Sequence, residues 1–266
     1  MRGTPEASGE FVQSLARGLA VIRAFDAEHP ELTLSDVARR TGLARAAARR
    51  FLLTLESLGY VRASGASGAA AGSATFSLTP RVLELGFSYL SALSLPEVVQ
   101  PHLERLSRQV DESVSAAVLD DTDIVYIARV PTRRIMSVRI TIGTRFPAFA
   151  TSMGRVLLAG MPRAEADAVL AASRLEPLTD RTLTDRAALR AELDRVREQG
   201  WSLVDGELEP GLRSIAAPLH GRGGEVVAAL NVSTSATRDS VEHLLDAYLP
   251  ALLDAAVAIE TELRHV

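Results

Sequence analysis

Residues 32–61, LTLSDVARRTGLARAAARRFLLTLESLGYV, decide how the first part of the chain folds. Thr33 stands three residues before Asp36, the spacing of a capping box, and Gly42 follows about two turns later as a stop. So short a helix needs a neighbour to pack against. The next segment sets Phe51, Leu52, Leu55 and Leu58 on one face, Arg45, Arg49 and Arg50 on another near its start, and ends at Gly59. A short helix, a glycine turn and a helix with a cationic start is the order in which a helix-turn-helix offers its second helix to a DNA major groove.

Upstream, FVQSLARGLAVIRAF (residues 11–25) repeats Leu15, Leu19, Ile22 and Phe25 at threes and fours, which predicts a first helix ending before His29-Pro30. Downstream, Tyr60-Val61-Arg62 and Thr75-Phe76-Ser77-Leu78 read as two short strands of a hairpin. Between them ASGASGAAAGSA (63–74) has neither charge nor bulk and reads as a mobile loop. Three helices and a hairpin make a winged helix-turn-helix. Residues 39–62 hold Arg39, Arg40, Arg45, Arg49, Arg50 and Arg62 against Glu56 alone, a local excess of five positive charges. Arg45 and Arg49 are four apart and share a face, and an arginine can donate two hydrogen bonds to guanine, while arginines farther along suit phosphates. The candidate DNA contacts are Ser35, Arg45, Arg49, Arg50 and Arg62. The competing reading is a solvated helix face in a chain whose 29 basic residues are all arginine.

The whole chain has 266 residues, room for about two domains. With 47% hydrophobic and 23% charged residues it is neither disordered nor fibrous, and a net charge of -4 gives no global pull towards nucleic acid or an anionic membrane, so a DNA site must be local. The absence of cysteine excludes disulfides, thiolate chemistry and Cys-ligated metal. No apolar run reaches the length of a membrane span, and MRGTPEASGE lacks a signal-peptide pattern, so the expectation is a cytoplasmic protein with no membrane partner. The five histidines (29, 102, 220, 243, 265) form no metal-ligand spacing, and no GxSxG elbow, Walker loop or GxGxxG follows a strand. Gly221-Arg222-Gly223-Gly224 and Asp120-Asp121-Thr122-Asp123 read as turns. No enzyme, catalytic residue, metal or cofactor is expected.

Pro96 marks a joint between helical segments, which divides the chain into a DNA-binding domain (1–79), a linker helix (80–94) with an apolar stripe of Leu83, Phe87 and Leu90, and a second domain (95–266). That domain reads as a helix EVVQPHLERLSRQV, strands SVSAAVL, IVYIARV and MSVRITI, a helix over Ser152–Gly160, two helices to about Gln199, strands WSLVD, RSIAAPL and EVVAALNVS, and a closing helix. Strands in two blocks with helices between them predict an α+β domain on one antiparallel sheet. In MSVRITI, Arg139 falls on the polar side of the alternation. The loop from Phe146 runs into a helix start at Thr151, Ser152 and Met153, where unpaired amides and the helix dipole suit a carboxylate; an ordinary Thr or Ser cap is the plainer reading.

The first of these stretches, followed by FSLTPRVLELGFSYL (76–90), resembles the DNA-binding domain and linker helix of IclR-type transcriptional regulators. GTRFPAFATSMGRVLLA (143–159), DGELEPGLRSIAAPL (205–219) and VVAALNVS (226–233) resemble signatures of that family's effector-binding domain. Two local departures are a longer, plainer wing loop and Ala44 at a helix cap. The resemblance implies a GAF-like effector domain with a ligand cup in which backbone groups of Ser152 and Met153 hold the effector, Ser214, Asn231 and Ser233 lie on a polar floor, and Asp205 belongs to an acidic stretch. The wording looks most like the branch responding to aromatic acids of the β-ketoadipate route, such as 4-hydroxybenzoate and protocatechuate. On that basis Phe146, Phe149, Tyr126 and Trp201 are candidate apolar walls and Arg139 or Arg145 a carboxylate partner. The expected protein is an effector-responsive regulator of catabolic genes, a homodimer or dimer of dimers on an inverted-repeat double-stranded DNA operator. The rival is a small-molecule-binding adaptor that acts on a protein partner instead.

Overall fold

The computed structural model describes residues 11–64, 74–85, 95–132 and 140–264. The chain forms two compact units, residues 1–92 and 93–266.

In the first unit α1 (Gln13–Ile22), β1 (Glu31–Thr33), α2 (Leu34–Thr41) and α3 (Arg45–Ser57) precede a hairpin of β2 (Val61–Ser64) and β3 (Thr75–Leu78). The capping box closes the start of α2: Thr33 Oγ1 accepts from Asp36 N at 3.2 Å, and the Asp36 carboxylate accepts from Thr33 N at 3.3 Å. Gly42 ends α2 in the left-handed region at φ 68°, which an L side chain adopts only with strain. Val21, Val37, Ala48 and Leu52 are fully buried at the centre of this unit.

Three expectations shift. β1 joins the hairpin to give a sheet of order β1-β3-β2; three residues are too few to show a period in sequence. Leu15 and Leu19 are exposed, because α1 meets the core near its end through Val21, Ala24 and Phe25. Leu58 is exposed as well, at the C-cap past the last packed turn of α3. The linker begins in a 3-10 turn over Pro80–Val82, and residues 83–85 are helical. Phe87, Leu90 and most of the Gly/Ala/Ser loop lie outside the described residues.

The second unit is built on one antiparallel sheet of order β6-β5-β4-β9-β8-β7, with β4 (Ser113–Asp120), β5 (Asp123–Val130), β6 (Arg145–Pro147), β7 (Ser202–Asp205), β8 (Leu212–His220) and β9 (Val226–Ser235). Tight turns at Asp120–Asp123 and Gly221–Gly224 make the two long hairpins, each with a positive-φ residue, Asp121 and Gly224. Strand alternation sorts side chains onto two faces. Val114, Ala116, Ile215, Leu230 and Val232 pack under α4 (Leu95–Val110) and α8 (Leu249–Leu263). Ala117, Ala216 and Ala229 face α5 (Ser152–Gly160), α6 (Arg163–Ala172) and α7 (Arg186–Gln199). The α+β sandwich is the one expected from the two strand blocks.

Only the last three residues of MSVRITI, the stretch expected to be a strand, are described, and they are not in one. Its first part lies outside the described residues, Ile140 and Thr141 are irregular, Ile142 lies in a turn, and the edge of the sheet is β6, paired with Asp123–Val125. No helix among the described residues is long and apolar enough to cross a membrane.

Candidate functional site

Two places concentrate chemistry. The first is α3. Its inner side buries Ala48, Leu52 and Leu55, which leaves Arg45, Arg49 and Arg50 in solvent. None of the three makes an ion pair among the described residues, whereas on α2 Arg39 is held by Asp36 and Arg40 by Asp26. The start of α3 has no side-chain cap at Ala44, and Arg45 adds positive charge where the helix dipole is already positive. For the fold alone that is unfavourable by about 0.3–1 kcal/mol. For a phosphate or a guanine edge it is an attractive end. Ser35 is exposed in the first turn of α2. Arg62 is exposed on β2 and donates from Nε to Ser77 Oγ at 3.0 Å, which holds the guanidinium stem along the wing.

The second place is a small cup between the sheet and the start of α5. Its polar lining comes from Thr151, Ser152, Ser214, Asn231 and Ser233, with Met153 beside them. The floor follows from register: Ser214 pairs with Ser233 across β8 and β9, and Asn231, two residues from Ser233, shares its face. α5 is buried from Ser152 to Ala159, so its positive end acts in a low-dielectric setting. Thr151 caps it, its Oγ1 accepting from Gly154 N at 3.1 Å, while the amides of Ser152 and Met153 have no acceptor within the helix. Ser152 Oγ and Ser214 Oγ are 2.8 Å apart and tie the helix start to the floor. Asn231 donates from Nδ2 to Ser233 Oγ at 2.8 Å, yet its Oδ1 is buried without a donor among the described residues.

The apolar wall differs from expectation. Tyr126 lines the cup, and burial pushes its phenol up to about 12, so it is a neutral hydroxyl. Phe146 instead stacks edge-on against Tyr126 at 5.9 Å and is not part of the cup lining, and Phe149 is buried in the core under α5. Trp201 packs on the opposite, α4/α8 side of the sheet. The rest of the wall is aliphatic, from Ile140, Val204, Leu208 and Leu212, residues that sequence reading missed. Parity would have found two of them: Val204 pairs with Ser214, and Leu212 is two residues before it. The same parity turns Asp205 away from the cup, where Arg213 and Arg181 hold it.

Arg145 is also corrected. It clamps the β4–β5 turn, with contacts to Asp120 at 2.5 Å and Asp123 at 3.2 Å, and does not line the cup. Arg139 lies outside the described residues. Arg155, not singled out from sequence, is 2% exposed and reaches Glu207 with both terminal nitrogens, at 2.8 and 2.5 Å, while its Nε donates to Phe149 O. That pair joins α5 to the loop carrying Leu208, two walls of one cup.

Comparison with known proteins bears on both places. Residues 14–65 match the IclR helix-turn-helix domain, and residues 87–261 match the C-terminal domain of bacterial transcriptional regulator IclR. The Pca regulon regulatory protein of Pseudomonas putida is 46% identical over 93% of this chain and 82% of its own length. The crystal structure of RHA06195 from Rhodococcus sp. RHA1 is 58% identical, with a TM-score of 0.84 over 96% of this chain and 99% of that one. An IclR homolog of Microbacterium hydrocarbonoxydans, solved with 4-hydroxybenzoate, is 30% identical, with a TM-score of 0.82 over 96% of this chain and 100% of that one.

Proposed function

Because the chain belongs to the IclR family of bacterial transcriptional regulators, we infer that it is a DNA-binding switch whose cup receives a small hydroxylated aromatic acid. One observation carries the ligand class. Asn231 lines the cup, is 3% exposed and keeps a buried oxygen without a donor among the described residues, on a floor tied to the start of α5. A buried acceptor without a donor is unfavourable by about 1–3 kcal/mol, and a ligand hydroxyl removes that deficit. The helix start meets a carboxylate, and Tyr126, Leu208 and Leu212 meet a flat ring. The 4-hydroxybenzoate of the Microbacterium relative has this pattern of groups.

Arg45 and Arg49 are the base-reading residues of this proposal, with Ser35, Arg50 and Arg62 on phosphates. Thr151, Ser152, Met153, Ser214, Asn231 and Ser233 hold the effector. The regulator works in the cytoplasm as a homodimer or dimer of dimers, with a DNA-binding part (1–79), a linker (80–94) and a sensor (95–266). Effector binding shifts the population of operator-competent dimers, by no more than its differential affinity for the two states.

The test is fluorescence anisotropy of the full chain on DNA from upstream of its own coding region, over a salt series, with a scrambled duplex as control. Salt-sensitive specific binding that moves with 4-hydroxybenzoate is the expected result. Specific binding indifferent to aromatic acids discards the ligand class. No preference over the scrambled duplex returns the adaptor reading.

A further inference from the structure

The lining of the cup lacks a side-chain cation, and the sheet holds one, Arg129, outside that lining but on the same face, which the strand pattern conceals. In IVYIARV, strict alternation would turn Arg129 away from Tyr126, three residues before it. The β4–β5 register slips between Ala116 and Ala117: Ala117 pairs with Tyr126, Ala116 with Ala128 and Ser115 with Arg129, so Ile127 is an extra residue. Such a bulge reverses parity and re-aims a side chain. Arg129 therefore shares the face of Tyr126 and Ser115. Its Nη1 donates to Ser115 Oγ at 3.2 Å, so the guanidinium leans across β4 in the direction of β9. Ser115 is itself the direct partner of Asn231, one strand farther on.

This arginine is unlike the others of the second unit that sit among acids. Arg145, Arg155, Arg213 and Arg238 all make ion pairs. Arg129 has no carboxylate partner among the described residues, its Nε–H is buried without an acceptor, and burial weakens its hold on its proton. The stretch 133–139 that soon follows, RRIMSVR, contains no acid. A half-buried guanidinium without a counter-ion is an unfavourable thing for a fold to keep.

We propose that Arg129 is the positive charge by which the cup selects an acid over a neutral analogue of the same shape. The proposal rests on the reading of the cup as an effector site and adds the residue that sets its charge preference. A ligand carboxylate entering the cup supplies the missing anion in a setting where water screens little. The bulge at Ile127 is the device that turns the charge to the cup's side of the sheet, one strand from Asn231.

Isothermal titration of the full chain with 4-hydroxybenzoate and with 4-hydroxybenzamide, its uncharged analogue, tests this. Wild type is expected to prefer the acid. Arg129→Gln should lose at least about tenfold in affinity for the acid and less than about twofold for the amide, the span of a hydrogen bond to a charged group. Arg129→Lys should restore part of the preference. If Arg129→Gln weakens both ligands alike, or leaves the acid preference intact, the proposal is overturned while the cup reading stands. If wild type binds neither compound, the cup reading fails and this proposal with it.

Discussion

On α3 the groups offered to a partner are exposed, charged and without ion pairs among the described residues; on the cup floor they are buried, neutral and, but for one oxygen, paired. Arg45 and Arg49 stand in water on a helix whose other side makes the core, so they are free to change without touching Leu52 or Leu55. Ser214, Asn231 and Ser233 are each under a tenth exposed, and Ser214 and Ser152 hold one another. The difference teaches where fold and function are separable. A surface cation can be removed without cost to the core, whereas removing a cup residue leaves a buried partner unsatisfied.

The largest effect expected from this contrast is at Gly154, in the first turn of α5. A Cβ there would lie 2.1 Å from Ala148 O and 2.4 Å from Ala148 Cα, backbone atoms that cannot step aside. Gly154→Ala should destabilise the second unit by about 3 kcal/mol or more and abolish effector binding together with it. Thermal unfolding followed by calorimetry is the measurement. A protein as stable as wild type would mean that the wall of the cup yields, and that the cup is less rigid than the comparison holds.

The middle effect is on the other side of the contrast. Arg45→Ala and Arg49→Ala should each lower specific operator affinity by about 1–3 kcal/mol, with unfolding temperature and 4-hydroxybenzoate affinity unchanged. Anisotropy on specific and scrambled duplexes separates this from a loss of phosphate contacts, which would weaken both duplexes equally. Loss of effector affinity in these variants would break the separation of the two sites.

The same contrast explains what could be read from sequence. The helix-turn-helix was legible because its evidence is local: Thr33 to Asp36, Gly42, and arginines four apart all fall within two helices. Five of the six strands of the sheet were legible, the two long hairpins through their turns, while the three-residue β6 was not. Ser152, Met153, Ser214, Asn231 and Ser233 came from resemblance, and the cup does gather them. Where reading failed, the cause was long-range register. Phe149 and Phe146 are apolar residues in the right loop, yet side-chain direction sends one into the core and the other onto the ring of Tyr126 outside the cup lining. Arg145 and Asp205 have the right chemistry, yet partners distant in sequence hold them. The extra residue at Ile127 leaves no mark in composition or period, so the parity of Arg129 could come only from strand pairing.

Asp205 gives the smallest and most discriminating test, since sequence placed it in the cup and the sheet places it outside. Burial pushes its carboxyl up, but hydrogen bonds and charge from Arg213 and Arg181 outweigh that and hold it below its ordinary value of 3.8. A carboxyl whose value is depressed on folding adds stability above 3.8 and loses it as pH falls through the lower folded value. Asp205→Asn, which imitates the protonated acid, should therefore be less stable than wild type near neutrality, and the two denaturation curves should converge as pH falls below 3.8. A gap that stays constant with pH would mean that shape rather than charge is at stake. Effector affinity should be the same in both proteins, because Val204 and not Asp205 lines the cup; a loss of affinity without a loss of stability would return Asp205 to the cup.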